Sequence, residues 1–244
     1  MIQTYYDLHI HSALSPCADN DMTPNDIVGM ALLNGLDIIA ITDHNSLANA
    51  GAVITVAEGL NAQTSERELI VLPGVEVSTA EEVHVLCLFS DIDSALSFES
   101  KLSPFYSTFP NRVDIFGDQI LYDTDDQKIG EVERMLIAPT TISFDDLSQL
   151  THSHDGAFIP AHIDRDSFSV ISNLGFLPPH LDINTVEVSS RGFENGFDEE
   201  IVNFPEKGNV IYSSDAHQLW SISERKHSML LPELSAKAAI DFLM

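Results

Sequence analysis

Two cysteines, Cys17 and Cys87, are all that the 244 residues contain, so no disulfide framework organises the chain, and the composition suits a reducing compartment. Basic residues are scarce as well. Eleven Lys and Arg stand against 38 Asp and Glu, and the formal charge of −27 repels polyanions, which argues against an extended nucleic-acid-binding face and against docking on anionic membranes. No stretch approaches the roughly eighteen apolar residues of a membrane span. The N-terminus, MIQTYYDLHIHS, has no basic segment ahead of an apolar one. A cytoplasmic chain is therefore expected. Neither Gly/Ser or Pro-rich linkers nor repeats mark an internal boundary, so residues 1–244 are read as one domain. The hydrophobic share of 44% is enough to fill its core.

Against this background, short apolar runs rich in Val and Ile alternate with helical patterns, the signature of βαβ units and a mostly parallel sheet. Strands are expected at Thr4–His9, Asp37–Ile41, Leu69–Val77, Val83–Phe89, Ala157–His162, Thr185–Val188, Val210–Ser213 and His227–Leu231, about a barrel's worth. Thr23 can cap a helix that has Pro24 at its first position and Gly35 past its end. Further helices are expected over Ser46–Leu60 and Ser235–Leu243. Residues Asp91 to Leu147 break the alternation and are read as an inserted excursion, with a hairpin turning at Asp125 and Asp126.

Residues able to ligate metal fall on this strand map at strand ends: His9 and His11 after the first strand, Asp43 and His44 after the second, Glu76 in the third, His84 in the fourth, His162 closing the fifth, and Asp215 and His217 after the last but one. In barrel enzymes that rim carries the active site. Two residues apart on a strand face one side, so His9 and His11 can chelate a single ion, and Asp215 and His217 repeat the spacing. A lone HxH is more often two ordinary histidines, but here the coincidence would have to recur many times. His152, His154 and His180 read as solvated loop residues, and His227 as a structural residue or a support to the ligands.

At these residues the sequence resembles the PHP (polymerase and histidinol phosphatase) superfamily of metal-dependent phosphoesterases. DLHIHSALSPCAD, AITDHNS, GVEVSTAEEVHVL, PAHIDR and SSDAH are similar to its five motifs, in order, over residues 7 to 217. The resemblance implies an α/β fold, a distorted seven-stranded (β/α)7 barrel with the metal site at the C-terminal ends of the strands. It implies two or three divalent ions (zinc, manganese or iron): His9, His11, Glu76 and Asp215 around one, Glu76, His84 and His162 around a second with Glu76 bridging, and His44 and His217 toward a third. Cys17 stands where many relatives carry His or Asp. It is read either as a thiolate ligand, which would favour zinc, or as a small hydrophobe in a loop.

The expected reaction is hydrolysis of a small phosphate ester, a phosphomonoester of nucleotide or sugar type before a phosphodiester, by a metal-activated hydroxide. Glu76, Asp215 and Asp43 are the catalytic candidates, Asp43 either orienting a ligand histidine or protonating the leaving group. Arg165 and Arg225 are first in line to bind the phosphate, with Arg191 behind them, and surface ion pairs are their plain alternative. Two other readings stay open. One is a metal-dependent amidohydrolase, although none of Lys101, Lys128, Lys207, Lys226 and Lys237 falls on a metal-facing strand to serve as a bridging carboxylated lysine. The other is a metal-binding regulatory module without activity. The partner expected is a small phosphorylated substrate, and oligomeric state leaves no mark in the sequence.

Overall fold

A computed structural model describes residues 1–63, 68–196 and 208–244. Its elements in chain order are β1 (Ile2–Ile10), α1 (Pro24–Leu33), β2 (Ile38–Ile41), α2 (Ala50–Asn61), β3 (Ile70–Ser78), β4 (His84–Leu88), α3 (Ile92–Leu102), α4 (Val113–Phe116), β5 (Ile120–Tyr122), β6 (Lys128–Glu131), α5 (Phe144–His152), β7 (Ala157–Pro160), α6 (Val170–Leu174), β8 (Thr185–Ser189), α7 (Ser190–Glu194), β9 (Asn209–Ser213), β10 (Ser228–Leu231) and α8 (Ala236–Leu243). All eight expected strands form. No helix among the described residues is long and apolar enough to cross a membrane.

Six strands make one curled sheet in the order β10-β1-β2-β3-β4-β7, and β8 and β9 make a separate parallel pair. The fold is mixed α/β, and its sheet is less parallel than the alternation suggested. β1, β2 and β3 run together, but β4 runs against both β3 and β7, and β10 runs against β1. The short link from Ser78 to His84 dictates the reversal at β4, because a parallel return needs a crossover of a dozen residues or more. His84 thus starts its strand on the same rim where β3 ends.

Alternation along the strands divides the core. Ile38 and Ala40, Leu86 and Leu88, and Ala157 and Ile159 face the inside of the curl with α8, whereas Ile39 and Ile41, Val85 and Cys87, and Phe158 face α1, α2, α3 and α5. β1 changes step. Tyr6 and Leu8 belong to the inner cluster and Ile10 to the outer one, and the ladder with β2 is irregular between Asp7 and Ile10. That shift turns His9 and His11 inward.

Local signals explain the helices. Thr23 accepts from the Asp26 N–H at the start of α1, and Gly35 takes the left-handed conformation, φ 79°, that stops it. The Ser46–Leu60 expectation starts too early, since α2 begins only at Ala50, after a turn at Ala48 and Asn49. The excursion is also less irregular than expected. α3, capped by Asp91, follows β4, and α5, capped by Ser143, leads into β7. Between them the β5-β6 hairpin forms, with Asp126 left-handed at its turn. It packs on the chain after β1: Ile120 donates to the Ala13 carbonyl, Asn25 donates to Asp126, and Asn20 donates to Asp118.

Candidate metal centre

Glu76 stands at the middle of the rim, 1% exposed, with five histidines around its carboxylate. Oε1 lies 2.8 Å from His84 Nδ1, 3.2 Å from His162 Nε2 and 3.4 Å from His9 Nε2, and Oε2 lies 2.8 Å from His44 Nδ1 and 3.5 Å from His11 Nε2. The His44 contact lacks hydrogen-bond alignment, so Oε2 is a buried oxygen without a donor, and His162 Nδ1 is likewise unpartnered. Such atoms are costly unless something electropositive meets them.

Beside Glu76, His9 Nε2 and His11 Nε2 point at each other across 3.1 Å, and each is 3.2 Å from Asp215 Oδ1. Ligand atoms about 2.0 Å from a tetrahedral ion stand about 3.3 Å apart, so this triangle has the edge lengths of a coordination shell. The groups His9/His11/Asp215, His44/Glu76/His84 and His11/His44/His217 each bring their ligand atoms within 4.8 Å of one another. Donor chemistry and spacing fit divalent ions.

Neighbouring residues hold the imidazoles with one nitrogen toward this centre. Nδ1–H of His9 donates to Glu187, whose Oε2 also accepts the His162 main-chain N–H at 3.0 Å. Nδ1–H of His11 donates to Ser15 Oγ at 2.9 Å, and that hydroxyl donates to Asp43 Oδ1 at 2.7 Å. Asp43 also accepts the N–H and hydroxyl of Ser12. The oxygens of Asp43 are occupied in this way, and Ser15 links it to His11. His217 Nδ1–H donates to the Asp215 carbonyl, turning Nε2 toward Cys17 Sγ at 3.1 Å. Asp215, His162 and Phe168 take left-handed backbone, φ 53°, 32° and 56°, strain of the kind that collects at functional sites.

The electrostatics match the geometry. Burial opposes charge on Glu76, but His84, His9 and His44 together hold its carboxyl well below the usual range, and His9 and His11 do the same for buried Asp215. Burial also opposes charge on His9, yet Glu187, Asp215 and Glu76 raise it well above its ordinary value, while burial with His217 and His44 nearby drives His11 well below. For Cys17 partial burial is outweighed by hydrogen bonds to His217 and His44, which bring the thiol down to about 7.

Of the residues expected at the site, His9, His11, Cys17, His44, Glu76, His84, His162, Asp215 and His217 come together, and Arg165 joins them by an ion pair of 2.7 Å from Nη1 to Asp215 Oδ2. Arg225 does not. Its guanidinium lies over the Tyr5 ring at 4.0 Å, on the half of β1 away from the ligands. His227 packs against Tyr212 and Phe193 and carries no ligand role. His180 pairs with Asp145 at the surface. Glu187 and Ser15 were missed. The clue to Glu187 was a carboxylate flanked by valines in a short strand that is buried along its whole length.

The PHP domain family matches residues 7–176, and the chain belongs to it. No curated protein matches the sequence. Among solved structures, endonuclease Q from Pyrococcus furiosus is similar with a TM-score of 0.70 and 15% identity over 99% of this chain and 56% of its own. The chain thus spans little more than half of that enzyme. A candidate metal-dependent phosphoesterase from Bifidobacterium adolescentis superposes with a TM-score of 0.56 and 17% identity, covering 98% of this chain and 94% of its own. An amidohydrolase from Chromobacterium violaceum, with bound sulfate, gives a TM-score of 0.56 and 16% identity over 95% and 93% of the two chains.

Proposed function

We propose that this protein hydrolyses a small phosphate ester, a phosphomonoester of nucleotide or sugar type, at a centre of two or three divalent ions. The observation that carries the reading is Glu76, a buried carboxylate ringed by five histidines with one oxygen lacking a hydrogen-bond donor. His9, His11, Glu76 and Asp215 would hold one ion, Glu76, His84 and His162 a second, and His44, His217 and Cys17 a third. In this reading β8 and β9 stand between β7 and β1 to complete a seven-stranded barrel, supported by bonds from Ile163 N–H to the Glu187 carbonyl and from His11 N–H to the Ala216 carbonyl. Bound divalent ions supply Lewis-acid chemistry, acidifying water and drawing charge from the phosphoryl group.

The chain's own residues do the rest. Glu187 and the Ser15–Asp43 pair keep the first two histidines in the tautomer that offers Nε2 to the centre. Arg165, fixed by Asp215, places a guanidinium over a pocket of about 150 Å³ lined also by His44, Glu76, His84 and Phe168, a volume suited to a phosphoryl group. Phe168 stacks on His84, centroids 4.8 Å apart, and walls the mouth against water.

Among the described residues no lysine approaches the centre, and Lys207 lies outside them, so the carboxylated-lysine chemistry of an amidohydrolase finds no support here. A DNA substrate is the second reading, favoured by the similarity to endonuclease Q along nearly the whole chain and opposed by the charge of −27. The test combines metal analysis of the purified protein with turnover of a panel of monoesters, diesters, amides and abasic DNA, read respectively as release of phosphate, alcohol and amine and as strand cleavage, on wild type and Glu76→Ala. We expect monoester turnover by wild type, with both metal content and turnover lost in the variant. Retention of both by Glu76→Ala would sink the proposal.

A further inference from the structure

The 150 Å³ pocket over the ligands borders a second cavity of about 680 Å³, and Arg165 and Ser167 line both. With a phosphoryl group in the first, as the proposed function has it, the remainder of an ester would lie in the second, whose size is that of a small-molecule site. Its lining is polar. At the end toward the ligands stands Arg165, already paired with Asp215. The other cation of the lining is Arg191, whose guanidinium makes no ion pair or hydrogen bond with the described residues.

Arg191 sits on a built support. Asp164 accepts the Ser189 N–H at 2.7 Å and its hydroxyl at 2.6 Å, and the same hydroxyl accepts the Gly192 N–H at 3.1 Å, which fixes the first turn of α7. A side chain at Gly192 would come within 2.5 Å of Asp164 and 2.6 Å of Val188, so this turn is seated as closely as backbone allows. With Asp164 engaged by Ser189, Asp166 is the carboxylate of the lining without a partner among the described residues.

On the basis of the proposed function, we propose that this cavity receives the leaving group of the ester and that Arg191 recognises an anionic group, phosphate or carboxylate, at its far end. The substrate class narrows to small esters with a second negative charge. A guanidinium facing an open polar cavity binds such an oxyanion bidentately, whereas a neutral sugar would leave it unmatched.

The test uses three compounds that share one phosphoryl group and differ in the second charge: glucose 6-phosphate, glucose 1,6-bisphosphate and 6-phosphogluconate. Each is titrated by calorimetry into the manganese-loaded protein while phosphate release is followed in the same samples. KM is compared where phosphate is released, and the binding constant where it is not. Wild type should favour the doubly charged compounds by about tenfold, and whichever of the two binds better identifies phosphate or carboxylate as the second group. Arg191→Ala should remove that preference while changing glucose 6-phosphate less than about twofold, and Asp166→Asn should enlarge it. Binding without phosphate release overturns the catalytic reading of these compounds and leaves the cavity assignment standing. Equal or absent binding of all three, or a preference that survives in Arg191→Ala, overturns the assignment.

Discussion

Glu187 faces His9 with both carboxylate oxygens, 3.1 and 3.0 Å from Nδ1, and so leaves the opposite nitrogen of the ring free to face Asp215 and Glu76. A glutamine in its place keeps one acceptor oxygen for two donors, the His9 ring and the His162 main chain. Glu187→Gln should weaken metal affinity about 10–100-fold, as such supporting carboxylates generally do. Chelator competition reads this directly, and unchanged affinity in the variant would show that Glu187 is only packing.

The two cysteines should behave as opposites. Burial pushes Cys87 up to about 12, whereas Cys17 is exposed and brought to about 7, below the ordinary value of about 8.5. In metal-free protein iodoacetamide should modify one thiol, with a rate that levels off once pH rises past about 7, because a depressed pKa moves thiolate formation to lower pH. If Cys17 ligates an ion, metal loading should slow that alkylation at least about tenfold. Equal rates with and without metal would assign Cys17 to the loop alone.

Gly117 locks the excursion onto the segment that carries Cys17. Its φ is 97°, and a Cβ there would lie 2.2 Å from the Pro16 carbonyl oxygen, which is backbone and cannot step aside. Gly117→Ala should cost about 1–3 kcal/mol and lower the midpoint of thermal unfolding by about 2–4 °C per kcal/mol. A melt that coincides with wild type would mean that the excursion can lift away at no cost.

Much of this centre could be read in advance because strand alternation is local. His9 and His11, or Asp215 and His217, announce a shared side by spacing alone. The reversal of β4 was also implicit, in a link too short for a crossover, and Asp91 and Ser143 offered capping signals that the charge-rich excursion obscured. Glu187 and Ser15 were harder. Their roles depend on partners 178 and 28 residues away in the chain, and nothing in TVEVS or SALSP names those partners. Arg225 shows the converse error: it lies past a strand end in sequence, but an aromatic face at Tyr5 captures it first.

Cys17 and His217 are 200 positions apart, yet their side chains meet at 3.1 Å, and His11 and Asp215 meet just beside them. An ion bound there would therefore act as a clasp between the two ends of the chain. Closing so long a loop removes much of the unfolded chain's freedom, the more so because the intervening strands must already be in place for the clasp to shut. Heat stability and metal occupancy should accordingly rise and fall together, and stripping the metal should loosen first the seam where β9 meets β1.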